Sequence, residues 1–158
     1  MTMFRLDNQV VRPEWIDNNG HMNIAYYTLA FDLAFDQLLA EQLGMSHATM
    51  HDLQLGPFAL QNHYCYHAEL RESDVFYTTM GVLDYNHKCM HLYAEMFRGS
   101  DDVLSATWEG LTVNVSHASR KTEPYPSQIM ERIILANGES CPSPLPDNVG
   151  KIIRIRKS

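Results

Sequence analysis

Hydrophobic positions along this chain follow two periods, and the change from one to the other lays out its elements. From about Asn23 to Leu43 the apolar residues Tyr26, Tyr27, Leu29, Ala30, Phe31, Leu33, Ala34, Phe35, Leu38, Leu39 and Leu43 recur at helical spacing and cover most of a helix surface. That spacing predicts a long helix, mostly enclosed because apolar residues cover so much of its circumference, with Gly44 as its stop. Elsewhere the pattern shortens to runs rich in Val, Tyr, Phe and Thr. Residues 4–12 predict a first strand ended by Pro13, and residues 59–71, 75–84, 88–98 and 103–116 predict four more. Turn chemistry separates them at Glu72-Ser73-Asp74, Tyr85-Asn86-His87 and Gly99-Ser100-Asp101-Asp102, so these four are expected to form an antiparallel meander. The stretch holding His47, His51 and Gly56-Pro57 reads as a loop. One long helix followed by consecutive strands gives an α+β class, with the helix packed on one face of a curved antiparallel sheet.

Beyond Ser116 a turn-rich connection leads to Ser127, which is placed to cap a short helix running to about Ala136 and stopped by Asn137-Gly138. The Pro-rich stretch from Cys141 to Pro146 reads as irregular. The last residues, Lys151 to Lys157, alternate basic and apolar side chains and read as an edge strand or a frayed terminus. In the strand at 59–71, Ala59, Gln61, His63, Cys65 and His67 share one face, and Leu60, Asn62, Tyr64, Tyr66 and Ala68 the other. Neither face is purely polar, so the side away from the helix is expected to be covered by another subunit.

Length and charge narrow the classes. The chain has 158 residues, which fit one domain over 1–140 followed by a tail over 141–158. A net charge of -7 excludes broad phosphate-backbone binding, which needs a basic face, so no nucleic-acid partner is expected. No apolar run approaches the length of a membrane span and no secretory leader is visible, so the expected setting is the cytoplasm. Cys65, Cys89 and Cys141 lack the spacing of a disulfide framework or a zinc site. Three His pairs recur at four residues, His47/His51, His63/His67 and His87/His91. On a strand such positions lie ~13 Å apart, too far to share one zinc, so only His47/His51 could do so, and only if helical. No metal and no cofactor is expected, and neither a nucleophile elbow nor a Gly-rich nucleotide loop is present.

The stretch from Trp15 to Tyr27 carries the chemistry: Asp17, then Gly20, His21 and Asn23, at the expected start of the long helix. Free N–H groups of a first helical turn, with the positive end of the macrodipole, stabilise negative charge developing on a carbonyl oxygen. A carboxylate beside them could attack that carbonyl or activate water to do so. On spacing alone Asp17 is equally readable as a turn or helix cap, and Asn23 as an N-cap.

The pattern D-x-x-G-H-M-N-x-x-x-Y, followed by Phe31-Asp32, resembles that of the hot-dog-fold thioesterases of the 4-hydroxybenzoyl-CoA thioesterase type, with Met22 where Val is usual and Asp32 where Glu is usual. The resemblance implies a hot-dog fold, a homodimer or a homotetramer built from it, and hydrolysis of a small acyl-CoA to acid and CoA. Asp17 then matches the catalytic aspartate, while Gly20, His21 and Asn23 support the site. Trp15, Tyr26 and Tyr27 become candidates to line an acyl pocket, and Arg120 and Lys121 to hold the CoA phosphates, with Arg71 behind them. The longer pattern W-x-D-x-N-G-H-M-N resembles a subgroup acting on betainyl-CoA, whose quaternary ammonium group aromatic rings bind by cation–π attraction. A non-catalytic acyl-CoA-binding domain and a hydroxyacyl-thioester dehydratase on the same scaffold are the alternatives.

Overall fold

Asn23 starts the long helix in the way its side chain allows. With extended backbone angles, it accepts a hydrogen bond from the Ala25 amide at 2.9 Å, and helix α1 (Ile24–Glu41) follows. Tyr27, Ala30, Phe31, Ala34, Phe35, Leu38 and Leu39 form its buried face, matching the period read from the sequence. The helix closes at Gly44, whose φ of 67° suits a residue without a side chain, and the amides of Leu43 and Met45 return to the carbonyls of Leu38 and Leu39. The computed structural model describes residues 3–141 and 144–151.

Five strands form one antiparallel sheet beneath α1: β1 (Phe4–Val10), β2 (Leu55–Tyr66), β3 (Val75–Tyr85), β4 (Cys89–Arg98) and β5 (Val103–Ser116). Their order across the sheet is β1-β3-β4-β5-β2. The expected four-strand meander is therefore corrected. Only β3, β4 and β5 follow one another, while β2 leaves the sequence order and pairs with β5 at the far edge. Pro57 accounts for part of this, since a strand with a proline cannot donate a full ladder and is confined to an edge. The strand also begins earlier than its pattern indicated and ends at Tyr66 rather than at residue 71. Residues 67–74 instead cross the sheet end, where the His67 and Ala68 amides bond the Ser105 carbonyl, and Leu70 and Asp74 reach the segment after β1.

Two further boundaries differ from the sequence reading. Residues 47–53, read as loop, form helix α2 (His47–Leu53), with the Ser46 hydroxyl accepting from the Thr49 amide as its cap. Helix α3 (Ser127–Ser140) is entered from Pro126 and runs through Asn137-Gly138. The Asn137 side chain donates to the carbonyls of Val82 and Leu83 on β3, and this attachment, with Ile129, Ile133 and Ala136 buried, holds the last turn in place.

The sheet buries one face under α1 and α3, through Phe76, Met80, Met90, Leu92, Met96 and Trp108. On the opposite face the chain supplies a cover of its own. Asn148 accepts from the Tyr93 hydroxyl at 3.0 Å and donates to Thr107 at 2.8 Å, and the Gly150 amide meets both carboxylate oxygens of Glu109. Over these residues the cover on this face is the chain's own C-terminal segment, where the sequence leads us to expect a second subunit. The reading of Lys151 to Lys157 as an edge strand or frayed end falls, beyond Lys151, outside the described residues.

Glu95 lies under that segment, and burial raises its carboxyl pKa against the lowering effect of the Tyr93 hydroxyl. A carboxyl raised on folding stabilises the fold below its unfolded pKa, and that contribution is lost as pH rises through the folded value. Glu95→Gln is therefore expected to raise Tm at pH 7, with the gain disappearing in thermal melts taken below about pH 4.

Candidate active site

The loop between β1 and α1 is fixed almost entirely by its own backbone. A short 3-10 turn at Pro13–Trp15 leads into a tight turn in which the Gly20 amide bonds the Asp17 carbonyl at 3.0 Å and the Asp17 amide bonds the His21 carbonyl at 3.1 Å. Gly20 sits at φ 80°, a conformation strained for any side chain, although the space around it is open. The Asp17 carboxylate accepts from the Asn19 amide at 2.8 Å and remains half-buried, with no salt-bridge partner among the described residues.

The supporting residues tie this loop to the helix start. The Met22 amide donates to the Leu70 carbonyl and the Asn23 amide to the Trp15 carbonyl, both at 2.8 Å. His21 Nδ1 lies 3.2 Å from the Met22 carbonyl, which orients the ring along the loop. Because Asn23 occupies the Ala25 amide and its carbonyl takes the Tyr26 amide, the first turn does not offer all its donors to a ligand. Among the described residues the Ile24 N–H is the one left without a partner there, at the exposed tip of α1. Asn23→Ala is expected to cost about 1 kcal/mol, measured by urea unfolding, because it strips that cap.

A cleft of about 260 Å³ opens at this tip, lined by His21, Ile24, Tyr27, Tyr66, His67 and Glu69. Tyr27 is buried, with its hydroxyl accepting from the Leu70 amide at 3.1 Å and its ring meeting the Tyr66 ring edge-on at 5.2 Å; burial raises its pKa. Trp15 is 5% exposed and stacks on Tyr26 with centroids 5.2 Å apart, so packing occupies most of its surface. Met22 is buried in the core and borders the floor of the same cleft. Tyr66 and Glu69 were not singled out from the sequence, because only the crossover after β2 brings them to the helix start.

The basic candidates lie elsewhere. Arg120 and Lys121 follow β5, whose Ser116 pairs with Leu55 at the start of β2, whereas the Asp17 loop and Tyr66 stand at the other end of that strand. β2 has 12 residues, so the two groups are roughly 35 Å apart within one chain. Arg71 is nearer the loop, but Glu69 engages its guanidinium. Beside the start of β2 a second cleft, about 340 Å³, is bordered by Asp32, Asp36, His47, Phe58 and His117. Burial, and then the nearby Asp36, raise the Asp32 pKa. His47 and His51 do lie on a helix, as metal sharing required. Each instead faces a single carboxylate, Asp36 at 3.7 Å and Asp52 at 3.5 Å, and no cluster of three or more metal-ligand side chains occurs among the described residues. The larger cleft of about 660 Å³, near His63, Asp84, His91 and Glu109, opens on the outer sheet face and contains no residue of the motif.

A five-stranded antiparallel sheet around one long helix, with the Asp17 loop leading into that helix, defines a hot-dog scaffold. The chain belongs to the thioesterase-like superfamily, whose family model matches residues 11–133. It is 25% identical over 143 residues to the betainyl-CoA thioesterase of Pseudomonas aeruginosa, spanning 90% of this chain and 89% of that protein. A Staphylococcus aureus protein solved in complex with CoA superposes with a TM-score of 0.90 at 26% identity, covering 99% of this chain and 98% of the other. The 1,4-dihydroxy-2-naphthoyl-CoA thioesterase of Synechocystis shares the fold at a TM-score of 0.71 and 13% identity, over 84% and 95% of the two chains. No helix among the described residues is long and apolar enough to cross a membrane.

Proposed function

We infer that this protein hydrolyses a small acyl-CoA thioester to a free carboxylate and CoA, with Asp17 as nucleophile or general base. What supports this reading is a half-buried carboxylate in the loop that leads into an 18-residue helix, whose first turn leaves the Ile24 N–H without a partner among the described residues. A thioester carbonyl oxygen received by that amide would place developing negative charge where the macrodipole favours it, and leave the carbonyl carbon open to the carboxylate. Thiolate is a good leaving group, so no metal is required. His21, Asn23 and Gly20 hold the loop, and Tyr27 and Tyr66 wall the adjoining cleft.

A second copy of the chain completes the site in this reading. β2 is an edge strand whose Phe58, Leu60 and Tyr66 are exposed, and Leu29 and Leu33 of α1 are exposed as well. Exposed apolar edges of this kind are covered by pairing. Two β2 edges related by a two-fold axis run antiparallel, which sets the Leu55 end of one against the Tyr66 end of the other. Arg120, Lys121 and the Asp32 cleft of one protomer then face the Asp17 loop of its partner, and the distance between them within one chain ceases to matter. A homodimer is thus the working unit, set in the cytoplasm and acting on acyl-CoA.

The acyl group we propose is betainyl, supported by the W-x-D-x-N-G-H-M-N pattern, by the activity named for the Pseudomonas aeruginosa relative, and by the Tyr27, Tyr66 and Glu69 lining of the cleft at the helix start. Thiol release measured across betainyl-, aromatic and short aliphatic acyl-CoAs tests this. Turnover is expected for betainyl-CoA above the others. Stoichiometric binding with no thiol released from any member of the panel would replace the hydrolase with a binding domain.

A further inference from the structure

Arg120 is held in a costly way for a surface cation. Its backbone occupies the left-handed region at φ 57°, where a non-glycine residue is rare and a strained conformation persists only if its surroundings enforce it. Those surroundings are a closed turn: the Arg120 amide bonds the Ser116 carbonyl, the Ser116 amide bonds the Lys121 carbonyl, both at 2.9 Å, and the Ser119 hydroxyl reaches Glu123 at 3.2 Å. The guanidinium meets no carboxylate among the described residues, in a chain of net charge -7 that offers many. It lies instead over the Phe58 ring, 5.2 Å from the centroid. Phe58 is 38% exposed on edge strand β2 and is absent from the hydrophobic core.

We propose that Phe58 is a positioning residue for Arg120, holding its guanidinium as the anchor for a CoA phosphate; this rests on the acyl-CoA reading above. An aromatic face restrains a guanidinium without neutralising it, whereas a carboxylate partner would compete with the phosphate. The ring restricts the rotamers of a long side chain before the ligand arrives, so less ordering remains when phosphate binds. The strained turn fixes the Cα end and the ring fixes the charged end. The chemistry at Asp17 is untouched by either, so the effect belongs to substrate affinity and not to the chemical step.

The test is steady-state kinetics with a turned-over acyl-CoA, together with calorimetric binding of free CoA, on Phe58→Leu, Phe58→Tyr, Arg120→Ala and the Phe58→Leu/Arg120→Ala double variant. Phe58→Leu keeps apolar bulk and loses the ring face. It is expected to raise KM and weaken CoA binding about three- to tenfold with kcat close to that of the unaltered chain, and Phe58→Tyr to restore both. On the Arg120→Ala background Phe58→Leu should add nothing. Full additivity of the two substitutions, a fall in kcat, or loss of the dimer in light scattering at equal KM would each overturn the role given to Phe58. If the unaltered protein neither releases thiol from any acyl-CoA nor binds CoA, the thioesterase reading falls with it, and the two failures are told apart by that control.

Discussion

Asp17→Asn is expected to lower kcat by about 100- to 10,000-fold if the carboxylate activates water, and further if it attacks the carbonyl itself, while the protein stays folded. The structure makes this a clean substitution. The polar contacts of the Asp17 side chain are with Asn19, whose amide donates to one carboxylate oxygen at 2.8 Å, and an Asn side-chain oxygen accepts that bond as well. The turn is otherwise held by main-chain bonds from Gly20 and to His21, which the substitution leaves alone. Lost turnover with unchanged Tm and unchanged CoA affinity therefore reports chemistry. Turnover within a factor of about two of the parent would remove Asp17 from the mechanism, since general acid–base contributions start near 100-fold.

The largest expected effect on stability is that of Trp108→Ala, about 3–5 kcal/mol, read as a fall in Tm on the order of 10 °C. Trp108 lies on β5 beneath the middle of α1, where its ring contacts Phe31 and Phe35 with centroids 6.3 and 6.0 Å away, and its indole N–H donates to Asn62 on β2 at 2.9 Å. One side chain thus joins the helix to the floor of the sheet and fastens the edge strand. The neighbouring glycine belongs to the same arrangement, because a Cβ on Gly110 would run into the Trp108 ring. A substitution limited to its own cavity would spare the β2 edge, whereas loss of the indole bond loosens the strand on which the proposed dimer depends. Trp108→Phe, which keeps a ring but not the donor, should cost less and is the control that separates packing from the hydrogen bond.

Much of this fold was legible locally. The period from Tyr27 to Leu39, the Asn23 cap and the Gly44 stop are decided by residues within one or two turns of each other, so the sequence located α1 almost to the residue. The breaks after β3 and β4 were equally plain, because turn residues act on their own backbone. Ser46 is a local cap for α2, its hydroxyl accepting from the Thr49 amide within one turn. The candidate carboxylate and its glycine turn could also be read, since they occupy seven consecutive residues.

What the amino-acid sequence determined by itself, then, was helix α1 with its ends, the strands β1, β3, β4 and β5, and the D-x-x-G-H-M-N loop with the family it resembles, whereas helix α2 and the ends of β2 and α3 escaped it. Tertiary structure alone decided that β2 leaves the meander for the β5 edge, that residues 144–151 cover the outer face, and that Asn23 leaves Ile24 as the free amide of the first turn. It also decided that Arg120 stands at the opposite end of the strand from Asp17 and above Phe58. The reason is physical: capping, turn conformation and periodicity are settled between neighbours in the chain, while strand order and the meeting of distant side chains depend on which edges and faces remain to be filled once the helix has packed.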